Sequence, residues 1–174
     1  MPNMSSRGGF HQQSLIPTNN LNKPAPQNIV VSRYNILLQP TKTMKKVMFV
    51  CKRNSCRSQM AEGFAKTIGA GKIGVTSSGL ESSRVHPTAI QVMSEIGIDI
   101  TAQTSNPLSE FNAEDYDAVI SLCGCGVNLP EAWVLREVFQ DWQLDDPDGQ
   151  PIETFHRVRD EIKARVETLV DTLK

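Results

Sequence analysis

Five residues separate Cys51 from Arg57, and a serine follows at once: Cys51-Lys-Arg-Asn-Ser-Cys-Arg-Ser58. A thiol and a guanidinium at this spacing suit nucleophilic attack on a tetrahedral oxyanion. The planar fork of Arg57 can grip two oxygens of one anion, which an ammonium cannot do. Aligned N–H dipoles and the arginine charge favour thiolate over thiol at Cys51, so it is expected to be a nucleophile at neutral pH. Asn54 is expected to hold the loop shape through side-chain to backbone hydrogen bonds, and Ser58 to donate to the Cys51 sulfur. The backbone amides of Lys52, Arg53, Asn54, Ser55 and Cys56 would complete an anion seat with Arg57. A lone cysteine is more often an ordinary buried thiol; the presence of Asn54, Arg57 and Ser58 reverses that expectation.

Such a loop must be presented by the elements on either side of it. Val47–Val50 is short and apolar with two β-branched valines, which predicts a central strand of a parallel sheet. From Met60 the chain reads as helix, with Ala61, Phe64, Ala65 and Ile68 on one face, Glu62 and Lys66 as an exposed i, i+4 pair, and Gly69 as the stop. The loop therefore lies between a strand end and a helix N-terminus, where unpaired N–H groups and the helix dipole attract anions. Ile73–Ser77 is expected to be the second strand. Pro87 starts a helix with Ala89, Val92, Met93 and Ile96 on its face and Gly97 as its stop.

Tyr116–Leu122 is the third strand, and Val134–Phe139 the fourth that a βα alternation requires. Phe155, Val158, Ile162, Val166, Leu169 and Leu173 give a closing helix one apolar stripe. These elements predict one doubly wound α/β domain over residues 44–174, a four-stranded parallel sheet with helices on both faces. Ligands of such sheets sit outside the carboxyl ends of the strands. The third strand delivers Cys123 to the same edge as Cys51.

The run Cys51–Ser58, continued by Gln59-Met-Ala-Glu-Gly63, resembles the anion loop of the low-molecular-weight tyrosine phosphatase superfamily. Within it the chain is most similar to the arsenate reductases, from Met44 to Lys174. The resemblance implies that Cys51 attacks the arsenic of arsenate while Arg57 and the loop amides bind its oxygens. It also implies that Asp146, in Asp145-Asp146-Pro147, overhangs the loop and protonates the leaving oxygen, with Asp145 a helper that would raise its pKa by like-charge repulsion. Phosphatases of this kind follow the proline with aromatic residues, whereas Asp148-Gly149 follow here.

Leu122-Cys123-Gly124-Cys125-Gly126 separates a reductase from a phosphatase, because a phosphatase has no use for further thiols. Reduction of arsenate needs two electrons, and Cys123 is the expected attacker on a Cys51-arsenate adduct, leaving a disulfide that Cys125 takes over. The flanking glycines supply freedom to swing. Thioredoxin-coupled reductases of this fold place their second redox cysteine farther along; the closer Cys125 resembles the cyanobacterial hybrid reductases, which draw electrons from glutathione and glutaredoxin. The expected donor is glutathione with glutaredoxin, or thioredoxin. Lys52 and Arg53 would draw in anions or glutathione carboxylates, or simply be solvated charges.

Cys56 also occurs in phosphatases of the family and is expected to be a loop residue open to oxidation. Some related reductases bind a monovalent cation through positions matching Asn54, Glu62, Ser77 and Asn106, but an acid is usual at the last of these. His86 and His156 read as structural. The rival readings are a phosphatase that uses Cys51, Arg57 and Asp146 alone, and an oxyanion-binding module that never turns over.

Composition narrows the rest. A chain of 174 residues can bury one real core. The net charge of −1 divides unevenly: residues 1–43 hold Arg7, Lys23, Arg33 and Lys42 and no acid, hence +4, which leaves −5 for the remainder. That is no nucleic-acid surface. No apolar run reaches a membrane span, and no secretory signal opens the chain. A cytoplasmic monomer without bound cofactor is expected. Four cysteines clustered at strand ends are neither a secreted disulfide framework nor, at spacings Cys-x4-Cys and Cys-x-Cys, a zinc pattern. Residues 1–43, rich in Asn, Gln, Ser and Pro, are expected to be disordered. With only two arginines they make a poor organellar leader, and Met44 offers an alternative start.

Overall fold

The computed structural model describes residues 44–173, so the expectation for residues 1–43 lies outside the described residues. Four parallel strands form the sheet: β1 (Lys45–Cys51), β2 (Ile73–Gly79), β3 (Ala118–Ser121) and β4 (Val138–Asp141), in the order β2-β1-β3-β4. The helices are α1 (Arg57–Ile68), α2 (Pro87–Ser94), α3 (Glu131–Val134) and α4 (Ile152–Leu173), with short 3-10 turns between β2 and α3.

Strand β1 is buried on both sides from Val47 to Cys51, as a central parallel strand must be. Its alternating side chains divide the core in two. Val47 and Phe49 join α1, α2 and the apolar stripe of α4, while Met48 and Val50 face Leu108, Tyr116, Leu129 and Trp133. The second face is thus covered by 3-10 turns and the single turn of α3, a thinner layer than the first. All six residues predicted for the stripe of α4 are buried.

The sheet order puts the topological switch between β1 and β3, whose register aligns Val50 with Ser121. The chain leaves β1 toward β2 on one side, and β3 returns on the other. Outside the carboxyl ends of these two strands the connections diverge and a crevice opens. Cys51 closes β1, and Cys123 follows β3 by two residues.

Three expectations are corrected by the structure. The fourth strand begins at Val138, because residues 131–134 follow Pro130 into a helical turn that buries Trp133 in the second core; the alternation of elements demanded a strand in this window without locating its start. Helix α2 ends at Ser94, and Ile96 lies beyond it, 42% exposed, so it does not join the helix face. Glu62 of α1 is buried: it does pair with Lys66, yet it also accepts the Ser77 hydroxyl from β2.

Candidate active site

The loop 52–56 folds back on its own side chains. Asn54 has a left-handed backbone (φ 47°), a conformation that asparagine tolerates, and is fully buried. Its amide nitrogen donates to Ser58 Oγ at 2.9 Å and Ser77 Oγ at 2.8 Å, while its Oδ1 accepts the Asn106 N–H at 2.8 Å. Gln59, also buried, donates to the Asn54 carbonyl at 3.0 Å and to that of Thr104 at 2.9 Å. Backbone bonds tie the loop to the segment after β2: Leu80 N–H to Cys51 O, Glu81 N–H to Lys52 O and His86 N–H to Ser55 O. Gly79, paired with Cys51 across the sheet, lets this segment approach, since a Cβ there would lie 2.6 Å from Asn54 N.

Cys51 Sγ and Ser58 Oγ are 3.0 Å apart and buried. Arg57 opens α1 with its side chain 7% exposed; Nη1 donates to the Leu144 carbonyl at 2.8 Å, and Nη2 pairs with Asp146 Oδ2 at 2.8 Å. Asp146 therefore reaches over the loop, and Cys51, Lys52, Arg53, Ser55, Cys56, Arg57, Asp146 and Asp148 line one pocket. Asp145 turns to Arg157 on α4, at 2.8 Å. Burial pushes the Cys56 thiol up to about 12. The expected oxidation liability thus falls on a thiol that stays protonated. His86 caps α2, its Nδ1 accepting the Thr88 N–H, and His156 meets Glu95 at 2.6 Å.

The residues matching the cation site of related reductases do come together, and the oxygens of Glu62, Ser77 and Asn54 take protein donors. Glu62 takes Lys66 and Ser77, and Asn54 Oδ1 takes the Asn106 amide. The side-chain nitrogen of Asn106 donates to Thr104 Oγ1.

The second cysteine pair is bonded, Cys123 to Cys125, with Cα atoms 5.1 Å apart, and Cys51 and Cys56 are free thiols. A groove joins this disulfide to the anion pocket, lined by Lys52, Arg57, Cys123, Cys125, Leu144 and Asp146 among others. Asp141, at the end of β4, accepts the Gly124 N–H at 3.0 Å on one oxygen and the Gly126 N–H at 3.1 Å on the other. A Cβ at Gly126 would stand 2.9 Å from Asp141 Oδ2, so a side chain there would push on the carboxylate that forms the clamp.

Sequence reasoning missed Asp141, Gln59, Asp148 and the Leu144 carbonyl. Asp148 bonds Arg53 at 3.2 Å and approaches His86 at 3.6 Å. Proximity of Asp148 to the Asp-Pro segment was a usable signal; nothing in the sequence marks a backbone carbonyl or a strand-end aspartate as a partner.

The family model for low molecular weight phosphotyrosine protein phosphatase matches residues 46–174. Over 127 residues the chain is 74% identical to a glutaredoxin arsenate reductase of Synechocystis, covering 73% of this chain and 97% of that protein. An arsenate reductase of Staphylococcus aureus is 44% identical over 126 residues, 72% of this chain and 95% of its own. Among solved structures, an arsenate reductase in an oxidized state aligns with a TM-score of 0.73 at 71% identity, over 75% of this chain and all of that one. The arginine phosphatase YwlE aligns with a TM-score of 0.66 at 26% identity, over 74% and 95%.

Proposed function

The chain belongs to the low molecular weight phosphotyrosine protein phosphatase family, and within it we propose that it is an arsenate reductase, reducing arsenate to arsenite with electrons from thiols. The observation that carries this reading is the Cys123–Cys125 disulfide on the groove that leads to Arg57 and Asp146. Identity of 74% to a glutaredoxin arsenate reductase supports it.

Arsenate enters the pocket against the amides of residues 52–57 and the Arg57 guanidinium. The Cys51 thiolate attacks arsenic, and Asp146 protonates the oxygen that leaves as water. Ser58, 3.0 Å from the sulfur, orients it. The Cys123 thiolate then attacks Cys51 Sγ. The new S–S bond forms as the S–As bond breaks, and its electron pair stays on arsenic, which leaves as arsenite. Cys125 next attacks Cys123, releasing the Cys51 thiolate and giving the bonded pair. Two external thiol electrons restore the start, from glutathione with glutaredoxin or from thioredoxin. No step passes through a cation. Residues 44–174 form the working unit, acting as a cytoplasmic monomer.

Phosphate ester hydrolysis is the rival activity, since Cys51, Arg57 and Asp146 suffice for it. Asp148 and Gly149 after Pro147 offer no aromatic wall to an aryl substrate. The deciding experiment measures arsenite release with glutathione and glutaredoxin, or with thioredoxin, beside aryl phosphate hydrolysis in one preparation. Reductase activity in the wild type, lost in Cys123→Ser while ester hydrolysis persists, is the expected result. Ester hydrolysis without arsenite release would leave a phosphatase.

A further inference from the structure

The two sulfurs of the disulfide occupy unlike surroundings. Both residues line the groove, but Cys123 is partly exposed whereas Cys125 is buried. Ser121, fully buried at the end of β3, brings its Oγ to 3.5 Å from Cys125 Sγ. Its carbonyl already accepts the Trp142 N–H at 2.8 Å. A buried hydroxyl needs a partner, and this one meets a sulfur that must carry negative charge whenever the disulfide opens. The Asp141 clamp on Gly124 and Gly126 pins the backbone on both sides of Cys125.

We propose that Ser121 is a catalytic residue of the regeneration half-reaction, fixing which sulfur is attacked. The external thiolate attacks Cys123, and Cys125 leaves as a thiolate hydrogen-bonded to the Ser121 hydroxyl. The reductant sulfur bonds to Cys123 Sγ as the Cys123–Cys125 bond breaks, and the electron pair of that bond goes to Cys125. A second reductant thiol then attacks the reductant sulfur of the mixed disulfide, releasing oxidised reductant and the Cys123 thiolate, so two thiols deliver two electrons. A donor at the leaving sulfur stabilises its thiolate and speeds its departure. The same thiolate is the one that attacks Cys123 earlier in the cycle. Cys123 is the travelling sulfur and Cys125 the anchored one. The proposal rests on the reductase reading and adds the direction of attack.

The test starts from the oxidised full chain, without arsenate, mixed with glutathione and quenched on the millisecond to second scale with an alkylating agent. Fragment-ion mapping then locates glutathione and alkyl group on the two cysteines. Glutathione on Cys123 with the alkyl group on Cys125 is expected; glutathione on Cys125, or equally on both, overturns the proposal. Ser121→Ala should slow opening by about tenfold, as expected for loss of one ordinary hydrogen bond, and should spread the adduct over both sulfurs. Opening at the wild-type rate with an unchanged map would also overturn it. If that variant fails to fold, the wild-type map still decides. Because arsenate is absent from this assay, its failure is distinct from a failure to release arsenite.

Discussion

Replacing Asp146 with asparagine should separate rate from stability. The Arg57–Asp146 pair has one buried partner and one 53% exposed, and exposed ion pairs are worth roughly 0–1 kcal/mol because water screens them. Arg57 keeps its bond to the Leu144 carbonyl, and an asparagine oxygen can still accept from its other arm. In a domain of this size 1 kcal/mol moves Tm by about 3–5 °C, so Asp146→Asn should lose no more than that. Its rate should fall by roughly 10² to 10⁴, the usual contribution of a positioned general acid. Single-turnover arsenite release and thermal unfolding measure the two on one sample. Asp145→Asn is the control, because its partner is Arg157 on α4. A fall in rate for Asp145→Asn equal to that for Asp146→Asn, or a near-normal rate for the latter, would refute the assignment of the acid.

The remaining predictions concern the thiols, the loop and the N-terminal segment. Cys125→Ser should accumulate a Cys51–Cys123 disulfide after one equivalent of arsenate, read by peptide mass spectrometry; three reduced cysteines in the wild type after the same treatment would contradict the relay. Cys56, with its thiol pushed up to about 12, should resist iodoacetamide at pH 8 while the protein is folded and react once it is unfolded. Gly79→Ala should lower Tm by several degrees and weaken oxyanion binding, since the added methyl meets the backbone at Arg53 and Asn54; calorimetry with phosphate checks both. Removing residues 1–43 should leave turnover unchanged, because the family match begins at residue 46; a large loss of rate would assign that segment a role.

The anion loop was legible because its chemistry is compressed into eight adjacent residues, with the strand before and the helix after written in apolar periodicity. The closing helix was legible for the same reason, its stripe repeating over 22 residues. The four buried residues of β3 were legible too, whereas the start of β4 was not. β4 spans four residues and is only partly buried, so no period distinguishes it from the turn of α3 before it. Glu62 looked like half of a surface pair because i, i+4 spacing carries no information about what β2 places opposite. Asp141 was hidden for a different reason: its partners are backbone amides 15 and 17 residues away, and amides are the same in every residue type.

The bonds that shape the backbone of residues 52–56 and those that hold the cysteine loop come from different sides of the seam between β1 and β3, while Arg53 and Arg57 also reach across it to Leu144, Asp146 and Asp148. The anion loop is fastened by Gly79, Ser77 and residues 80–86, all contributed by β2 and the chain after it. The cysteine loop is fastened by Ser121 and Asp141, from β3 and β4. The end of β4 and the segment after it are therefore shared: Asp141 clamps the cysteine loop, and Leu144 and Asp146 hold Arg57. Replacement of Cys123 would take away the second thiol and leave Cys51, Arg57 and Asp146 facing the same pocket, so the cradle for the oxyanion does not depend on the sulfur that would reduce it.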